Sequence, residues 1–197
     1  MSTPQAQSGT SGQAQPSQQD KMKIMLGKLV NLMMELIGVC YDRKLTEISP
    51  ELVEWVRDNY VENYDLNNMM NNFIKYTRLH WDRILVKDEQ YFITDAIKIF
   101  GDIPSDQVNI TKILFESKDK DGKSIISQKD KDTIWEMVTV MVKISIVHIH
   151  KCREPIREPN GEIKYTRICY SKGEHQVENL SHFARKFKVD LSQYVPH

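Results

Sequence analysis

Two histidines and a cysteine close the run KISIVHIHKC, residues 143–152. Imidazole nitrogen and thiolate sulfur are the common zinc donors, so the backbone that carries His148, His150 and Cys152 decides whether they can act together. On a strand all three would share one face. On a helix, His148 and Cys152 are four apart and share a face with Ser145, while His150 joins the polar row of Glu136, Thr139 and Lys143. Cys169 and His175, further along, would complete a Cys₂His₂ set, although the spacing is not that of a known finger. Histidines also gather at helix C-termini because the dipole favours them there. The apolar run Ile134–Ile149 is about twice an ordinary strand length and follows helix-capping residues, so the spacing predicts the last turns of a buried helix.

The remaining candidate chemistry gives way to structural readings. KDKDGKSIIS resembles a calcium loop, yet with Gly122 as the sixth residue the twelfth is Gln128 rather than a bidentate glutamate. There is no phosphate-binding glycine loop, nucleophile elbow, HExxH or CxxC. Carboxylates in pairs, such as Glu51 with Glu54 and Asp130 with Asp132, stand at helix starts, where acids complement the dipole. HFARKFKVD, residues 182–190, interleaves Arg185, Lys186 and Lys188 with Phe183 and Phe187. Such a segment can grip a nucleic-acid backbone and stack on bases, or dock its phenylalanines inward and leave the cations in water. No catalytic, cofactor-binding or metal-ligating residue is assigned.

The elements that must position these residues are mostly helical. Residues 1–19 after Met1 hold only Gln, Ser, Gly, Thr, Pro and Ala and are expected to be a disordered polar tail. Asp20 is expected to cap a methionine-rich helix over 20–42 that is apolar on most sides, suited to a core or, secondarily, to an oligomer surface. Ser49-Pro50-Glu51 starts a second helix over 51–63. Asp65 opens a third through Leu85, marked by Leu66, Met69, Met70, Phe73, Ile74, Leu79, Trp81 and Ile84. Asp88 begins a fourth that stops at Gly101, and Ser105 a fifth through Phe115. Ser127 and Asp130 make a capping box for a sixth, from Gln128 to Lys151, ended by Pro155. Beyond it GEIKYTRICY alternates behind the turn pair Asn160-Gly161, and REPIREP is a proline-limited edge partner. Ser181 or Asn179 caps a final helix.

The predicted fold class is therefore mainly α. A helical domain of about six helices, residues 20–152, carries a small α+β appendage over 153–197 made of a short hairpin and a terminal helix. The expected core is Leu29, Leu32, Leu36, Trp55, Phe73, Ile84, Phe100, Leu114, Trp135, Val138, Met141 and Val142. Formal net charge is zero over 197 residues, so global electrostatics favour neither nucleic acid nor membrane. Only residues 151–197 lean basic, with nine Lys and Arg against six Asp and Glu. An odd three cysteines indicate a reducing compartment. The first residues lack the basic and apolar regions of a secretory signal, and the stretch Met137–Ile149 is short for a bilayer span. A cytoplasmic protein without membrane partners is expected.

HWDRILVKDEQYF, IFGDIPSDQVNITKILF and KDTIWEMVTVMVKISIVHIH, within residues 80–150, resemble uncharacterised helical proteins of nucleocytoplasmic large DNA viruses. Trp81, Phe100-Gly101, Pro104, Leu114-Phe115 and Trp135 carry the likeness, which reaches neither the tail nor the C-terminal quarter. The resemblance implies a viral accessory or virion-associated protein, in the host cytoplasm or the virion, and carries no catalytic residue. The predicted function is a non-enzymatic structural or protein-interaction protein, with a protein partner or self-association. The alternative is a nucleic-acid-associated regulator using the basic segment 151–190, zinc-stabilised if His148, Cys152, Cys169 and His175 converge.

Overall fold

The computed structural model describes residues 16–42, 51, 54, 58, 66–94, 115–151, 153–157, 159–161, 163–170, 173–174 and 180–194, some by their backbone alone. These residues are mostly helical, which places the protein in the mainly-α class. In chain order they form α1 (Gln18–Asp42), α2 (Leu66–Thr77), a 3₁₀ turn (Arg78–His80), α3 (Trp81–Leu85) and α4 (Glu89–Thr94). Then follow α5 (Gln128–Lys151), β1 (Arg153–Arg157), β2 (Ile163–Tyr170), β3 (Gly173–Glu174), α6 (Leu180–Lys186) and a 3₁₀ turn (Leu191–Gln193). The expected helices over 51–63 and 105–115 fall mostly outside the described residues, as do Trp55, Phe100, Leu114 and residues 1–15 of the tail.

Local chemistry sets the helix starts. Ser127 Oγ donates to Asp130 Oδ2 at 2.6 Å, the Ser127 amide donates to the same oxygen, and the Asp130 amide returns a bond to Ser127 Oγ. This reciprocal pair satisfies amides that the first helical turn leaves unbonded, and it fixes the entry to α5. The same device opens α1 one turn earlier than predicted. Ser17 is the capping residue, and Asp20 is the acid three positions on that accepts from the Ser17 amide and hydroxyl at 3.1 and 2.7 Å. Both residue types cap well, and only the backbone geometry separates the two roles.

The expected third helix is broken. Residues 78–80 tighten into a 3₁₀ turn, with His80 leaving helical angles at φ −120° and ψ 10°. Inside the break, Thr77 Oγ1 donates to the Phe73 carbonyl at 2.7 Å and accepts from Trp81 Nε1 at 3.0 Å. Thr77 is fully buried, and this relay joins the indole to the preceding helix. Phe73, Ile74, Thr77, Trp81 and Ile84 all face inward. Burial on one side thus continues from α2 through the break into α3. Leu79, an expected apolar mark of the helix, is 81% exposed.

α5 is the central element. Ile134, Trp135, Val138, Met141, Val142 and Ser145 bury one face at helical spacing, and Ile144, Ile146, Val147 and Ile149 extend burial round the last turns. α1 packs along it with Met22, Leu26, Leu29 and Leu36. Of the expected core, Leu29, Leu36, Phe73, Ile84, Trp135, Val138, Met141 and Val142 are buried, and Leu32 is partly so. β-branched residues are middling helix formers, and here core burial outweighs that preference. By length and composition α5 could cross a membrane, although the expected span Met137–Ile149 was short; 56% of its most apolar window is buried within the protein. A soluble core helix passes the same test.

The backbone of β1 pairs antiparallel with β2, Arg153 opposite Ile168 and Arg157 opposite Ile163, with a register shift between Glu154 and Pro155. Proline lacks the amide that a regular ladder would use, which accounts for the irregularity there. Five residues, 158–162, separate the paired ends, and Gly161 adopts φ +83° among them. Two central turn residues were expected.

α6 belongs to the main core. Leu180, Ala184 and Phe187 are buried in the same cluster as α1, α2, α3 and α5. Trp81 meets Phe183 edge-on at 5.3 Å and Phe187 at 6.5 Å. Such aromatic pairs add to the burial of area, so a terminal helix expected to hang from the domain is packed into it.

Candidate functional site

The histidines of KISIVHIHKC lie on the helix, as its capping predicts. Ser145, on their approach, is buried; its hydroxyl donates to the Met141 carbonyl at 2.9 Å and lies 4.0 Å from Met70 Sδ. His148 is half-buried, and desolvation holds its imidazole below the usual histidine range. His150 acts as a strap anchor. Its Nε2 lies 2.9 Å from the Tyr194 carbonyl, which can only accept, so Nε2 carries the proton. The Lys151 ammonium stands 6.0 Å over the Tyr194 ring, so the end of α5 holds the segment after α6 through two neighbouring residues. Cys152 and His175 lie outside the described residues, and Cys169 is described by its backbone alone, on β2. Among the described residues no group of three or more His, Cys, Asp or Glu is placed to hold a metal.

In the loop before α5, Asp119 Oδ1 accepts from the amides of Asp121 at 3.0 Å and Lys123 at 2.9 Å. Gly122 sits at φ +77°, a conformation that an L side chain seldom takes. The carboxylate thus organises a turn, as aspartates commonly do.

An ion-paired band ties the α3–α4 corner to the start of α5. Arg83 Nε bonds Asp88 at 2.8 Å, Lys87 reaches Asp132 at 2.9 Å, and Lys131 reaches Glu89 at 3.0 Å. Asp88 also accepts from the Gln90 amide at the start of α4. Arg83 and Lys87 hold the carboxyls of Asp88 and Asp132 below the ordinary aspartate range. The Arg83 guanidinium lies 5.3 Å over the buried Tyr91 ring, on which His80 stacks at 4.9 Å.

In the basic-aromatic segment the two kinds of residue separate. Phe187 is 2% exposed, Phe183 packs against the core, and both rings meet Trp81. Lys186 reaches across to Asp82 at 2.6 Å. Arg185 and Lys188 are exposed and have no acidic partner among the described residues. The rings are therefore not presented as a stacking platform beside the cations.

Of the outer stripe along α2, α3 and the turns beside them, the sequence marks Leu79 alone, and as an apolar residue of the helix. Lys75, Leu79, Asp82 and Val86 are all exposed, Leu79 by 81% and Val86 by 72%. Their spacing of four, three and four would put them on one face of an unbroken helix, so it points to them even though the 3₁₀ turn interrupts that helix. Two aliphatic side chains stand out from the short segment whose inner face holds Trp81 and Ile84. Comparison with protein-family models, with curated proteins and with solved structures finds no match.

Proposed function

We propose that the chain is a non-enzymatic structural or protein-interaction protein, and, following the viral resemblance, an accessory or virion-associated component of the host cytoplasm or the virion. The observation that carries this reading is the pair Leu79 and Val86, held outward on a segment fixed from within by Trp81 and Thr77. Ile24, 53% exposed on α1, adds a second apolar point. Burying these apolar side chains against a partner would remove their surface from water, which is favourable. The finer architecture belongs to the same proposal: about six helices over 20–152, followed by a hairpin and by the terminal helix that shares their core.

The nucleic-acid alternative draws on Arg185 and Lys188 but lacks presented aromatic rings beside them. Zinc stabilisation would show as stoichiometric metal in purified protein. The deciding experiment combines light scattering across protein concentration with recovery of the native protein under mild crosslinking. Self-association, or one defined protein partner, is the expected result. A strict monomer with no recovered protein would overturn the reading.

A further inference from the structure

We propose that the joint outer face of α3 and α6 is a docking surface for an acidic amphipathic helix of a protein partner, an inference that rests on the interaction reading above. In the chain Leu79 and Val86 flank Asp82 of α3, Leu79 in the turn before that helix and Val86 just past its end, and all three are exposed. The Asp82 carboxylate is 2.6 Å from the Lys186 ammonium of α6, so the ridge between the two aliphatic groups offers no uncompensated anion. That bridge, with the Trp81–Phe183 contact at 5.3 Å beneath it, sets α6 beside α3. On α6 and in the turn after it, Arg185 and Lys188 add positive charge that no described acid neutralises. The surface is thus an apolar ridge with a cationic flank.

The occupant follows from charge and polarity. A partner helix with leucine-like side chains on one face covers Leu79 and Val86, and carboxylates on its border meet Arg185 and Lys188. A nucleic-acid backbone would meet the cations but leave the aliphatic pair against phosphate and sugar. A second copy would bring to Arg185 and Lys188 no uncompensated carboxylate from this face, because Asp82 is already bridged to Lys186. The acidic helix satisfies both halves of the face.

The test uses the full chain, isotopically labelled, and a synthetic helical peptide with leucines on one face and glutamates along its borders. The control peptide carries lysines in place of the glutamates. Resonance shifts should centre on Leu79, Val86, Arg185 and Lys188, with the control binding roughly tenfold more weakly. The double variant Leu79→Ser/Val86→Ser and the double variant Arg185→Glu/Lys188→Glu should each lose a comparable factor while keeping the wild-type spectrum elsewhere. Equal binding of the lysine peptide, undiminished binding by either variant, or stronger binding of a DNA duplex or phosphatidylserine vesicles at these residues would overturn the proposal. If the two variants recover the same crosslinked protein as wild type, this surface is wrong and the interaction reading stands. A strict monomer with no recovered protein removes both.

Discussion

The relay from Trp81 Nε1 through Thr77 Oγ1 to the Phe73 carbonyl shows how one hydroxyl can hold a buried indole. Thr77→Val keeps the shape but leaves the indole N–H without its acceptor. Its expected effect is a loss of roughly 1–3 kcal/mol, measured by urea denaturation and accompanied by changed tryptophan fluorescence. Two lysines mark the opposite situation, in which a residue type resists its conformation. Lys87 and Lys188 sit at φ 54° and 55°, each just past a helix end. At the second, the Lys188 amide donates to the Arg185 carbonyl and the Val189 amide to that of Ala184, a Schellman pairing that glycine usually occupies. Relief of left-handed strain outweighs glycine's chain entropy, so Lys188→Gly should raise stability by about 0.5–1 kcal/mol in the same assay. Lys87→Gly gains less, because its ammonium also holds Asp132 at 2.9 Å. None of this was legible beforehand: a lysine announces neither its φ nor its partner.

Among the elements, α5 and α6 contrast. The bounds of α5 were legible because a capping box and a long apolar run are local signals, set within a few residues of chain. Its course also disposes of the strand alternative for KISIVHIHKC, as burial on nearly every side explains why the run is so apolar. The position of α6 was not legible, since its partner Trp81 lies about a hundred residues earlier and no local pattern names it. Phe187→Ala tests that placement. If α6 is part of the core, the whole protein should lose roughly 3–5 kcal/mol in a single cooperative transition. An independent appendage would instead leave the main transition unmoved. The outer stripe of Leu79 and Val86 was within reach of helical periodicity, but an apolar residue invites assignment to the core until its inward neighbours are known.

At the scale of the molecule, pH dependence follows from where titrating groups sit. Burial lowers the His148 pKa in the folded state, so below about pH 6.5 the unfolded chain takes up a proton that the native state refuses. Stability should therefore fall as pH drops from about 6.5 to the lowered native value, then level off for this group. Denaturant melts at neutral and mildly acidic pH should show the decline in wild type and a shallower one in His148→Gln. A second loss belongs further down. Hydrogen bonds from Ser17, Arg83, Lys87 and Ser192 lower Asp20, Asp88, Asp132 and Asp190 respectively. Their contributions are present above about pH 4 and disappear as pH falls through the native values. By itself the sequence determined the helical class, the span of α5, the capping box that begins it and the burial of those expected core residues that are described, because each is written in short-range spacing and capping chemistry. Only the tertiary structure decided that the helix breaks after Thr77, that α6 closes on Trp81, and that Leu79 and Val86 face water. Those outcomes depend on contacts between residues distant in the chain, or on backbone angles that several residue types can adopt.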